Sequence, residues 1–412
     1  MKTTKISDNA RKAIYIGTLC SVSYLAVYIA RNVLSAVTPA MIEAGYSESY
    51  IGSISSLYFA FYAFGQLING SIGDRIKAKW MIATGLTGAG VTNLLFSIVV
   101  ANQYAATAAY AMTGFFLSMI YGPMTKVVSE NTEPIYATRC SLGYTFASFF
   151  GTPSAGLLAS FLAWNNVFSV SSAALLAMSV IGFSFFTVFE KKGIVRYGQY
   201  KRSNKQRGGI GLLIKHDIVR FAFISIITGV VRTSVVFWLP TYISQYLDYP
   251  ADVSAMIFTG ATLVISLTAF IAVFLYEKLG RDMYKTVTLT LACSAVAFLL
   301  TYFVRLPMLN IIFIVLAIMA SNGAATMLWS RYCPGLRDTG MVSGATGFLD
   351  FLSYMSAAAA NLIFANAVTV IGWGNLILVW MGLVIIGTVI SIPIGKIIAK
   401  SKVKFAKIDK TV

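Results

Sequence analysis

Histidine is almost absent from this chain: one, His216, stands among 412 residues. A single imidazole rules out a histidine-built metal centre or proton relay. Cysteine is sparse as well. Cys20, Cys140, Cys293 and Cys333 show no CxxC spacing and lie in or beside apolar segments, so neither a disulfide framework nor a zinc site is expected. Charge is the largest deficit: Asp, Glu, Lys and Arg make up 11% of residues, against about 25% in soluble domains. So little charge cannot cover the surface of a soluble protein of this size. No GxxxxGK[ST] phosphate loop is present, and no segment is long enough between apolar runs to hold an ATPase domain. Nothing resembles a cleavable signal peptide, because residues 1–12 are polar and the first apolar run continues into a full span.

Apolar residues fill the space that charge leaves. They account for 57% of the chain, and the mean hydropathy is +0.75. Disorder is excluded by the same figures. At about 20 apolar residues per pass, the chain supplies roughly a dozen membrane spans. Apolar runs bounded by charge and turn residues predict helices over 13–37, 50–72, 80–101, 104–128, 138–161 and 166–189, then over 219–245, 252–277, 284–304, 308–330, 340–369 and 374–398. Strands cannot fill these runs, since backbone groups in lipid must be satisfied within their own segment. The expected class is an all-α membrane protein of twelve transmembrane helices. Its parts are an N-terminal six-helix bundle (1–189), a basic cytoplasmic linker (190–218) and a C-terminal six-helix bundle (219–412).

The basic residues decide orientation. Of 32 Lys and Arg, 29 fall in the segments on the side of the termini, Arg305 alone lies in an opposite loop, and Arg31 and Arg232 sit inside helices. Such asymmetry places both termini in the cytoplasm. It also removes the nucleic-acid reading of the +17 net charge, because the excess is topological. The linker, with Lys191, Lys192, Arg196, Lys201, Arg202, Lys205 and Arg207, is either a contact for anionic lipid or a solvated connection.

The halves repeat one another. Arg31 precedes Pro39 by eight residues, and Arg232 precedes Pro240 by eight. Asp74 follows Arg31 by 43 residues, and Glu277 follows Arg232 by 45. Repeated halves with a site at their interface are a common build for secondary transporters.

A charge within a span costs about 2.5–3.5 kcal/mol on insertion scales and marks a functional candidate. Arg31 shares a helical face with Tyr24 and Tyr28, which suits an aqueous cavity, although a long side chain near a helix end also snorkels to headgroups. Two guanidinium forks from related helices match carboxylate or phosphate oxygens bidentately. Tyr62, Gln66 and Asn69 form a polar stripe on the second helix, and Asp350, Tyr354 and Asn361 form another on the eleventh. Asp350 accepts a proton, pairs with Arg232 or Arg331, meets a cationic group of the substrate, or ends in water; the sequence leaves these open. Lys126 has Glu130 as an i,i+4 partner. Asp74, Arg75, Glu277 and Arg281 lie at helix ends where charge pairs would hold one conformation shut. Gly85, Gly88, Gly90, Gly151 and Gly156 are expected to permit close helix contact.

The run from Gly70 to Lys79, with Gly73-Asp74-Arg75 at its centre, resembles the loop 2–3 signature of the major facilitator superfamily. More narrowly, Tyr24, Tyr28-Ile-Ala-Arg31-Asn32, Gly45-Tyr46, and Phe237-Trp238-Leu-Pro240-Thr-Tyr242 after Arg232 resemble the organophosphate:phosphate antiporter family. That resemblance implies an alternating-access exchanger of a phosphate ester for inorganic phosphate. Arg31 and Arg232 fall on the family's phosphate-binding arginines, and Tyr24, Tyr28, Tyr62 and Tyr354 on its cavity tyrosines. The chain departs where the glycerol-phosphate carriers have a lysine (Gln66), a histidine (near Ala147), a glutamate (Thr262) and a small residue (Asp350).

The expected function is therefore secondary transport of a small organic anion, a phosphate ester or phosphonate, in exchange for phosphate across the cytoplasmic (inner) membrane of a bacterium. Substrate would meet Arg31, Arg232, Tyr24, Tyr28, Tyr62, Gln66 and Tyr354, with Asp350 and Lys126 affecting coupling or selectivity. No catalytic residue, cofactor or metal is expected, and no nucleic-acid partner; the chain would act as a monomer in the bilayer. The alternatives are a proton-coupled carboxylate carrier and a transporter-like sugar-phosphate receptor. An enzyme is disfavoured by the lack of a histidine cluster, a nucleophile elbow or paired acids on one helix.

Overall fold

The computed structural model describes residues 8–73, 76–197, 210–336 and 342–392. Helices follow in the order α1 (Asp8–Glu43), α2 (Glu48–Gly73), α3 (Ala78–Val99), α4 (Gln103–Leu117), α5 (Tyr121–Asn131), α6 (Pro134–Phe161), α7 (Trp164–Lys191), α8 (Ile210–Lys215) and α9 (Ile218–Gly229). A π-helical turn, Val230–Val235, joins α9 to α10 (Val236–Leu247). Next come α11 (Ala251–Ser266), α12 (Thr268–Lys278), α13 (Met283–Phe303) and α14 (Pro307–Met327). A second π-turn, Leu328–Tyr332, leads through α15 (Cys333–Gly335) to α16 (Val342–Ser391). No strand occurs among the described residues.

Among the described residues, nine helices are long and apolar enough to cross a membrane. The twelve expected passes follow from them for three local reasons. The long α16 holds two passes that meet at Gly372, whose φ of 72° favours a residue without Cβ. The α4–α5 pair is interrupted at 118–120, where the sequence predicts one helix over 104–128. There Ser118 turns its hydroxyl onto the Phe115 carbonyl at 2.6 Å and accepts the Asn69 amide at 2.8 Å. Such bonds compete with the helical ladder. Finally, α6 is long enough, but serine, threonine and tyrosine dilute its apolar character. Outward-facing side chains are apolar as lipid requires: Ile98, Val180 and Phe274 are 71%, 69% and 61% exposed.

Within the first seven helices, α1 packs on α6 and α7, α2 on α4, and α3 on α4 and α7. Within the later ones, α9 packs on α16, and α13 on α14 and α16. Glycine sets the closest approaches. A Cβ at Gly151 would lie 2.3 Å from the Tyr28 Cβ, and one at Gly156 would lie 2.5 Å from the Thr259 hydroxyl. Gly85 and Gly88 meet Phe116, and Gly90 meets Leu176, so all five glycines singled out from the sequence stand at helix contacts.

The two sets of helices meet along α1 and α10, α2 and α16, and α6 and α11. Their polar links gather at the end that carries Glu43, Glu48, Asp248 and Asp252. Ser35 donates to the Phe237 carbonyl at 2.7 Å and Gln245 donates to Glu48 at 2.7 Å, while within the later helices the Trp373 indole donates to the Gln245 oxygen at 3.0 Å and holds it in place. Gly52 lies so close to α16 that a Cβ there would be 2.3 Å from the Ala365 Cβ. This end is closed.

Candidate functional site

A cavity of about 980 Å³ lies between the two sets of helices. It starts at mid-membrane, where α1 contributes Tyr28, Arg31 and Asn32 and the first π-turn contributes Arg232. It extends away from the closed end towards Trp329, Ser330 and Pro334.

Arg31 and Arg232 both line this space and share one ring. The Arg31 guanidinium carbon is 4.8 Å from the Tyr354 ring centroid, and that of Arg232 is 6.0 Å from it. Tyr62, Tyr28 and Phe59 lie 5.0, 5.7 and 5.8 Å from the Arg31 guanidinium. Ring faces hold a cation by about 0.5–2 kcal/mol each without neutralising it. Neither guanidinium hydrogen-bonds or ion-pairs with a described residue.

Local packing explains how Arg232 reaches this position. α9 is stitched to α16: Ser225 donates to the Leu349 carbonyl at 2.7 Å and Ser356 to the Ile226 carbonyl at 3.1 Å. Gly229 lets the helices touch, since a Cβ there would lie 2.6 Å from the Ser353 carbonyl oxygen. Immediately after it the ladder widens into the π-turn, and the Ser234 hydroxyl donates to Asn361. π-turns recur at functional sites because the extra residue re-aims side chains. The sequence reads this stretch as plain helix.

The other expected site residues separate into groups. Tyr28 and Tyr354 line the cavity with the arginines. Tyr62 is buried behind it, 4.8 Å from the Tyr354 ring. Tyr24 is also buried, against Tyr28, Tyr121 and Tyr144 at 5.0, 5.5 and 6.0 Å, and does not line the cavity. Gln66 and Asp350 are half-buried and are not among the residues that line the cavity; Asp350 interacts electrostatically with Arg232 and Arg31 rather than with the Arg331 considered from the sequence. Arg331 is instead exposed over the Tyr276 ring at 4.8 Å. Lys126, on α5, is half-buried outside the cavity lining.

Asn69 and Asn361, members of the two polar stripes, are structural: one bonds Ser118 and the other accepts from Ser234. Asp74 and Arg75 lie outside the described residues, as do Lys201, Arg202, Lys205 and Arg207. Glu277 and Arg281 are exposed, and neither ion-pairs with a described residue. The ion pairs seen near the basic helix ends involve other residues: Glu190 accepts from Lys77 at 2.7 Å and Lys79 at 2.5 Å.

Sequence reasoning overlooked Phe59, Asn322, Thr326 and Trp329 in the lining. Asn322, Thr326 and Ser330 recur every four residues in an apolar helix, a stripe legible by the rule applied to α2 and α16. Phe59 gives no such signal, being one apolar residue among many.

A family model described as Major Facilitator Superfamily matches residues 20–360. Over 258 residues the chain is 21% identical to the glycerol-3-phosphate transporter of Bacillus subtilis, covering 57% of this chain and 58% of that protein. It is 28% identical over 94 residues to the membrane sensor protein UhpC of Salmonella typhimurium, covering 23% of this chain and 21% of that protein. The matched stretches thus span well under two thirds of these relatives' lengths. Among solved structures, a bacterial homolog of the human lysosomal transporter Spinster superposes with a TM-score of 0.77 at 11% identity, covering 94% of this chain and 97% of that one.

Proposed function

The chain belongs to the major facilitator superfamily and is a multi-pass membrane transporter rather than an enzyme; from that premise we propose that it moves a small organic anion, a phosphate ester or phosphonate, in exchange for inorganic phosphate. The carrying observation is the pair of guanidinium groups, Arg31 and Arg232, which line one cavity from helices of the two halves beside Tyr354 and which no described residue hydrogen-bonds or ion-pairs. Each offers a planar fork that fits two oxygens of a tetrahedral anion. Because the two come from different halves, a bound anion draws the halves together, and alternating access follows from rocking them about it. In this reading the chain divides into bundles 1–189 and 219–412 about the linker 190–218. It lies in the cytoplasmic membrane with both termini inside, and it works as a monomer. The basic-side excess of Lys and Arg supports that orientation, and makes the open end of the cavity the cytoplasmic one.

The test is counterflow: purified protein in phosphate-loaded liposomes is expected to take up labelled glycerol 3-phosphate or an alkyl phosphonate only when phosphate is inside. Uptake that follows an imposed proton gradient and ignores internal phosphate would replace this reading with proton-coupled carboxylate transport. Asp350, close to both arginines, gives that second reading its footing. Saturable binding without any flux would instead favour a receptor.

A further inference from the structure

The site holds three charges that do not pair. Arg31 and Arg232 form no ion pair with a described residue, and neither does Asp350. A carboxylate placed to neutralise the arginines would lie against them, where charge-assisted hydrogen bonds are strongest. Asp350 instead lies one turn of α16 before Tyr354, on the same helical face, with about 6 Å of axial rise between the two backbone positions. It is half-buried rather than sealed, and Gln66 of α2 adjoins it. Phe351, its neighbour in the chain, packs on Phe64 of α2 at 5.3 Å and Tyr354 packs on Tyr62 at 4.8 Å, so α2 fixes this stretch of α16 on both sides of the acid.

Two cations at one level and one anion a turn away form the mirror image of a particular ligand. We propose that the substrate is a zwitterion: a phosphate ester or phosphonate held by Arg31 and Arg232, whose short alkyl tether carries an ammonium group that meets Asp350 and Gln66. This rests on the reading of the arginine pair as the anion site. The charges close: a dianionic head offsets two guanidinium groups, and the ammonium offsets the carboxylate. A phosphate ester with an uncharged tail would cover Asp350 without giving it a cationic partner, a penalty that discriminates against it. Asp350 is then a specificity-determining residue.

The experiment measures inhibition of labelled phosphate exchange in proteoliposomes by two near-isosteric probes, 2-aminoethylphosphonate and propylphosphonate. The wild-type protein is expected to prefer the amine-bearing probe by about ten-fold or more. Asp350→Asn is expected to bring that ratio within about two-fold, each variant being referenced to its own phosphate self-exchange. A wild-type ratio near one, or a ratio kept in Asp350→Asn, overturns the proposal. Thermal stabilisation of the detergent-purified wild-type protein by the same probes is read in parallel. Lack of phosphate exchange with amine-selective stabilisation would discard the exchange reading and keep the zwitterion site. Exchange without amine selectivity would do the reverse.

Discussion

The guanidinium carbon of Arg31, on α1, stands 4.8 Å from the centre of the Tyr354 ring, on α16. The two residues are far apart in the chain and belong to opposite halves, yet that ring is also the one Arg232 faces at 6.0 Å. Tyr354 thus offers both cations one electron-rich ring.

Replacing Arg232 with Lys keeps the charge and removes the fork. Exchange is expected to fall by about 10- to 100-fold, the loss of one charge-assisted hydrogen bond of about 1.5–3 kcal/mol. The ligand-free thermal midpoint should hold, because Arg232 bonds no described residue. Wild-type counterflow kinetics in Arg232→Lys would remove it from the site.

Tyr354→Phe preserves the face and Tyr354→Ala deletes it. Ligand affinity is expected to stay within about three-fold in the first and to drop by about ten-fold in the second, as the two guanidinium groups lose their common support. Isothermal titration with the transported anion reads both. Equal losses would shift the weight from the ring to its hydroxyl.

Gly229→Ala introduces a Cβ 2.6 Å from the Ser353 carbonyl oxygen and 2.8 Å from the Ser353 Cα, atoms that cannot swing aside. Overpacking of this kind costs about 1–3 kcal/mol. A lowered thermal midpoint is expected together with weaker anion binding, since the same contact leads into the π-turn that carries Arg232. An unchanged midpoint would mean that α9 separates from α16 at little cost.

Gly52→Leu places a branched side chain where a Cβ alone would lie 2.3 Å from Ala365. The closed end would be wedged open, so labelling of a cysteine placed at Thr38, which is fully buried and outside the cavity lining, should accelerate severalfold while exchange is lost. Labelling at the wild-type rate would show that closure does not depend on this contact.

Much of the site was legible because membrane chemistry makes polar residues conspicuous. Arg31, Arg232 and Asp350 stand out in apolar runs, and the eight-residue spacing to proline in each half pairs the arginines before any coordinates are known. Tyrosine was harder to place. Tyr24 and Tyr28 occupy one helical face in the sequence, yet only Tyr28 borders the cavity, because Tyr121 and Tyr144 from α5 and α6 cover Tyr24. Asn69 and Asn361 looked like site residues by their stripes and proved to be helix ties, a distinction that depends on which partner lies across the contact.

By itself the sequence determined what the bilayer dictates: an all-helical chain, the number of its passes, and which charges had to be sheltered from lipid. Those follow from local hydropathy and from the cost of an unsatisfied backbone group or charge in hydrocarbon. The tertiary structure decided what depends on contacts between segments distant in the chain. It closed one end through Gly52, Glu48 and Gln245. It widened a helix into a π-turn beneath Arg232, and it held Asp350 near the arginines without joining it to them. Each of these is set by the shape of a neighbouring helix, and hydropathy along one chain carries no record of that shape.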